Sequence, residues 1–226
     1  MNYFTIKSLI ARHRLLWANK AFTISAIVGV IFLVGSFFVN YSALKYVVKA
    51  EGNSTTDILL DNLPVVNTDI IFSEGAFSFI FLLLFLFILE PKIIPFTFKS
   101  IALFVCIRSG FVIMTHLAPP LGHIAVDFDR FRYFSSGADL FFSGHTGLPF
   151  LMGLLFWENK HLRSFFISCS VIAGVAVILG HLHYTIDVFS AFFITYGIYK
   201  IARKFFPKDR KLFLDGLHTN EDIKSI

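Results

Sequence analysis

Two short stretches carry titratable side chains at the edges of apolar runs. The first is Gly180-His181-Leu182-His183-Tyr184-Thr185-Ile186-Asp187-Val188. His183 and Asp187 are four residues apart, so a helical backbone would project both from one face about one turn apart. A carboxylate beside an imidazole fixes its tautomer and stabilises the imidazolium, which lets the other ring nitrogen act as nucleophile or base. A helix bundle can use the same pair to satisfy a core histidine, so spacing alone does not decide between chemistry and packing. The second stretch is Asp139-Leu140-Phe141-Phe142-Ser143-Gly144-His145-Thr146, which also sits where a polar loop becomes an apolar run.

The elements that must position these residues belong to a bilayer. Of 226 residues 56% are hydrophobic, 17% aromatic and only 15% charged, far from the balance of a soluble domain. The 30 Phe residues are spread through long runs and read as lipid-facing or interhelical packing. Cys106 and Cys169 lie inside apolar runs without metal-like spacing, so neither a disulfide nor a metal site is expected. The formal charge of +5 gathers near the termini, where it reports membrane topology rather than nucleic-acid binding.

Residues 1–20 read as an amphipathic lead-in at the cytosolic surface, with Lys7, Arg12, Arg14 and Lys20 among apolar side chains. Six apolar runs follow, over residues 21–44, 70–89, 93–117, 143–157, 162–180 and 181–205. Roughly 20 apolar residues span a bilayer, so the fourth run is short. The first reads as an anchor rather than a removable signal. The expected fold is an all-α integral membrane protein, a six-helix bundle over 21–205 followed by a basic cytosolic tail over 206–226. Most Lys and Arg fall on one side, against Lys45, Lys49, Arg130 and Arg132 on the other. Both termini are therefore expected in the cytosol, with the polar clusters near the opposite face.

Arg108 lies within the third run, where an arginine is costly in hydrocarbon and either serves a function or snorkels. Ser143 is suited to capping the fourth helix, and Gly144 allows close approach to its positive end. Together with His145 and His183, Arg108 would complete an anion site for phosphoryl transfer that needs no metal.

At these residues the chain resembles the sphingomyelin synthase family of the type 2 phosphatidic acid phosphatase superfamily. The two stretches 139–146 and 183–188 look like that family's signature motifs, and the segment from Arg108 to Pro120 is similar to a preceding region, with a fainter likeness from Asp57 to Pro64. The resemblance implies a six-helix membrane core and a catalytic triad of His145, His183 and Asp187. It also implies a phosphate site of Arg108, Ser143, Gly144 and Thr146, with Asp139 and Tyr184 in support and no metal or cofactor. The implied partners are a phospholipid donor and a lipid acceptor, ceramide or a diacylglycerol-like alcohol. The implied reaction moves a head group, phosphocholine or phosphoethanolamine, to that acceptor through a phosphohistidine and releases diacylglycerol. Gly137-Ala138 replaces the family's Cys-Gly, Leu182 stands at a position acidic in animal members, and Ala176-Val177 replaces the superfamily's Ser-Arg. A lipid phosphate phosphatase and a catalytically silent lipid-binding or transport protein are the alternatives.

Overall fold

The computed structural model describes residues 6–50, 52–120 and 140–215. Eight α-helices run through them: α1 (Ile6–Ala18), α2 (Lys20–Lys49), α3 (Gly75–Leu89), α4 (Ile94–Met114), α5 (Gly144–Leu155), α6 (Lys160–Leu179), α7 (Thr185–Phe205) and α8 (Pro207–Asp215). The described residues contain no strand, in keeping with a hydrocarbon surrounding in which helices satisfy their own backbone. Five segments are long and apolar enough to cross a membrane: Lys20–Lys49, Ile70–Leu89, Pro91–Met114, Lys160–Leu179 and Thr185–Phe205. Large side chains such as Ile31, Phe38, Phe81, Phe85 and Phe193 are exposed along them and form the lipid-facing surface.

The fourth apolar run departs from the six-span expectation. It folds as the 12-residue α5. At 1.5 Å per residue that is about 18 Å, against roughly 30 Å of hydrocarbon. After Leu155 the chain turns, and Asn159 starts α6 by accepting from the Leu162 N–H at 3.1 Å. Burial compensates for the short length, since Leu151, Met152 and Leu155 are wholly enclosed. Gly147 lets α5 lie directly on α4 and α7. A Cβ there would come within 2.8 Å of the Phe104 ring and 2.9 Å of Thr195 Oγ1.

The space beyond the end of α5 is taken by α8. Arg210 Nη1 donates to the Leu155 carbonyl at 3.2 Å, and the Phe213 ring lies 5.1 Å from that of Phe156. Lys99 Nζ meets Asp209 Oδ2 at 2.6 Å and donates to Ser25 Oγ at 2.7 Å, while Ser25 donates to the other carboxylate oxygen. Lys99 is thus buried and paired rather than facing solvent. Leu16, Phe22 and Leu212 cluster at the same end, and Arg12 pairs with Glu90. Helices α1 and α8 therefore share one end of the bundle. At the other end Val66 N–H donates to the Leu179 carbonyl and Gly52 N–H to that of His116.

Candidate active site

His183 lies in the turn before α7, which begins only at Thr185, so the expected shared helix face is replaced by a meeting across a helix start. Asp187 is the third residue of α7, and its Oδ2 accepts the Tyr184 N–H at 3.0 Å, as an acid at this position commonly does. The same oxygen lies 3.5 Å from His183 Nδ1, at the outer edge of hydrogen-bond reach. Asp187 is fully buried and His183 nearly so. The carboxylate is thus fixed by the backbone on one side and faces the imidazole on the other.

The second cluster is tied to the first through the main chain. Ser143 N–H donates to the Asp187 carbonyl at 3.0 Å. Ser143 caps α5, its Oγ accepting from the Thr146 N–H at 3.4 Å and the Thr146 hydroxyl at 3.2 Å. Arg108 comes in from α4, donating from Nε to the Phe142 carbonyl at 2.8 Å. Its guanidinium rests against Gly144, where a Cβ would stand 3.3 Å from Nε. Any larger residue at 144 would press on that contact. His145 stacks on Phe72, with centroids 3.9 Å apart and planes at 29°. Phe72 packs in one cluster with Val177, Leu182 and Val188, so the His145 ring and the segment around His183 share a neighbour.

The structure therefore gathers Arg108, Ser143, Gly144, His145, Thr146, His183, Tyr184 and Asp187 at one end of the bundle. Asp139 lies outside the described residues. Two residues that the sequence reading did not assign to the site join it. Phe72 orients His145, and a lone phenylalanine among 30 carries no signal for that role. Asp57 accepts from Thr185 N at 2.7 Å and Thr185 Oγ1 at 2.6 Å, and also from the amides of Leu59 and Leu60. The faint family likeness from Asp57 to Pro64 was its only sign in the sequence. Burial pushes the Asp57 carboxyl up, but the hydrogen bonds, that of the Thr185 side chain first, bring it below the usual carboxylate range. Tyr184 Oη accepts from Thr55 N and donates to the Ala118 carbonyl, and burial raises its phenol above the ordinary value.

A cavity of about 400 Å³ lies beside this clamp, lined by Thr55, Thr56, Leu117, Tyr184, Thr185 and Phe189 among others. Its lining includes neither histidine of the site nor Asp187. No group of three or more His, Cys, Asp or Glu among the described residues is arranged to hold a metal.

Residues 137–204 match a family model described as PAP2 superfamily C-terminal. The match supports the PAP2 superfamily. It spans α5, α6 and most of α7, and so includes His145, His183 and Asp187 while leaving Arg108 and Asp57 outside. It fits a phosphate-acting membrane enzyme, a lipid phosphatase or phosphotransferase. No curated protein and no solved structure matches the chain.

Proposed function

We propose that the chain is a membrane phosphotransferase that moves phosphocholine or phosphoethanolamine from a phospholipid to a lipid alcohol such as ceramide, releasing diacylglycerol. The observation that carries this reading is the buried pair of His183 and Asp187, whose carboxylate is held by the Tyr184 amide while facing Nδ1. With Nδ1 turned to Asp187, Nε2 is the nitrogen left to attack.

Nε2 of His183 attacks phosphorus, the bond from phosphorus to the diacylglycerol oxygen breaks, and His145 gives that oxygen a proton. The resulting phosphorylated imidazolium keeps its Nδ1 proton towards Asp187. His145, now neutral, takes the proton of the acceptor hydroxyl as that oxygen attacks phosphorus, and the bond to Nε2 breaks. Arg108 and the first turn of α5, with Ser143, Gly144 and Thr146, stabilise the phosphoryl oxygens. The enclosure of His183 and Asp187 favours a lipid alcohol over bulk water as the second nucleophile.

In this reading residues 21–205 form the catalytic membrane domain, with α5 as a short sixth member of the bundle. Residues 1–20 and 206–226 lie on the cytosolic side, and the site lies near the opposite face. The test uses head-group-labelled phosphatidylcholine or phosphatidylethanolamine with ceramide in liposomes. Labelled sphingophospholipid and diacylglycerol should appear in comparable amounts, and His145→Ala, His183→Ala and Asp187→Ala should each abolish both. Release of only water-soluble phosphorylated head group, or of inorganic phosphate from phosphatidic acid, would instead make the protein a hydrolase.

A further inference from the structure

The turn between α6 and α7 contains a second histidine that the mechanism above leaves idle. Helix α6 closes on Gly180 with a paired motif, in which Leu182 N–H reaches back to the Val177 carbonyl at 2.9 Å and His181 N–H to that of Ile178 at 3.0 Å. Leu182 and Val177 also pack in one apolar cluster, as this motif usually arranges. The residue after the cap must then be left-handed, and glycine is the residue that does this without strain. His181 occupies that place with φ 53°. Strain of this kind persists where surrounding structure imposes it, and it gathers at functional sites.

The side chain adds a second cost. His181 is 4% exposed, and neither of its ring nitrogens has a hydrogen-bond partner among the described residues. An imidazole always carries at least one N–H donor, and burying it unpaired is unfavourable. Among the described residues His183 Nδ1 lacks a well-formed hydrogen bond and Asp187 Oδ1 has no partner, so four such buried atoms fall between 181 and 187. Tertiary structure thus holds a strained, unsatisfied imidazole two residues from the proposed nucleophile. A glycine there would have removed both costs.

We propose that His181 is a substrate-binding residue, donating a ring N–H to a non-bridging oxygen of the phosphate group as His183 engages its phosphorus. This rests on the phosphotransferase reading for the identity of the anion. The occupant is a phosphodiester, and His181 forms no covalent bond and moves no proton. It would supply a donor from the α6–α7 turn, where Arg108 supplies one from α4. The bound phosphate would satisfy the imidazole that the protein leaves unpaired.

The decisive variant is His181→Gly, which relieves the left-handed strain, with His181→Asn as a second variant that tolerates this backbone and keeps a polar group. Turnover of labelled phospholipid and ceramide is measured beside thermal unfolding in detergent, with and without orthovanadate as a phosphate mimic. His181→Gly should keep its Tm within a few degrees while kcat/KM falls about ten- to a hundredfold, the loss expected for one hydrogen bond to a charged group. The Tm rise that vanadate gives wild type should shrink in the variant. Unchanged kcat/KM and an unchanged vanadate shift in a folded His181→Gly or His181→Asn overturn the assignment. If wild type turns over no phospholipid yet vanadate still stabilises it, the transferase reading fails and the vanadate comparison alone judges His181. A wild-type protein neither active nor stabilised by vanadate refutes both.

Discussion

Replacing Asp209 by Ala tests whether α8 is a structural member of the bundle. The carboxylate accepts from Lys99 at 2.6 Å and from Ser25, and both members of the ion pair are over nine-tenths buried. Its removal strands the Lys99 ammonium on α4 in an apolar surrounding. Breaking such a pair by removing one partner costs about 3–5 kcal/mol, largely because a charge is left uncompensated. For a chain of this size each kcal/mol moves Tm by roughly 2–4 °C, so the loss should be about 6–20 °C. The double variant Lys99→Met/Asp209→Leu fills similar volume without charge and should recover most of that loss, since well-packed apolar replacements of buried pairs are close to neutral. Unfolding of detergent-purified protein can be followed with a thiol-reactive dye that reports the exposure of Cys169, which is half-buried on α6. A single variant as stable as wild type, or a double variant no better than the single, would refute the argument that the pair is buried and mutually dependent.

Asp57→Asn should lower Tm at neutral pH by weakening the clamp on Thr185. Because the folded carboxyl lies below its ordinary value, the wild-type advantage is complete above about pH 4 and fades only as pH falls through the lowered value. Melting curves from pH 3 to 8 check this, and a gap that narrows near neutrality would contradict it. Arg108→Lys keeps a charge but loses both the Nε bond to Phe142 and the planar fork, so kcat/KM in the transfer assay should fall about ten- to a hundredfold. Full turnover by folded Arg108→Lys would return Arg108 to a packing role. Single cysteines introduced at Asn53 and Asp215 test the proposed orientation. An impermeant reagent applied to intact cells should label the first and not the second, and the reverse pattern would invert the topology.

The helical membrane character was legible because runs of apolar residues near span length have few other folds open to them. The convergence of Arg108, Ser143–Thr146 and His183–Asp187 was legible because polar residues at the ends of such runs are forced towards common depths. The fate of α5 was harder to read. Its sequence shows that it is short, but that α8 fills the space beyond it depends on Arg210 reaching the Leu155 carbonyl, and nothing local to Lys208-Asp209-Arg210 announces this. The start of α7 was misplaced by four residues, because apolar content does not separate His181–Tyr184 from the helix. Asp187 reaching back to the Tyr184 amide marks the boundary, a signal available in the spacing but masked by the apolar run. The pairing of Lys99 with Asp209 joins residues 110 apart, a separation that charge counting cannot bridge.

The stack of Phe72 on His145 has a bearing on the surrounding lipid. Phe72 belongs to the turn Ile70–Glu74 that leads into α3, anchored behind by the Thr68 hydroxyl on the Ala176 carbonyl. Ahead of it runs a helix on which Leu83 is the single buried residue, with Phe79 and Phe87 leaning on Phe166 and Phe98. Most of the α3 surface is therefore left for acyl chains rather than protein. A thinner bilayer or a change in lateral pressure tilts such a helix at modest energetic cost. Such a tilt would move the ring stacked on His145, so the lipid around α3 would take part in aligning the proposed acid.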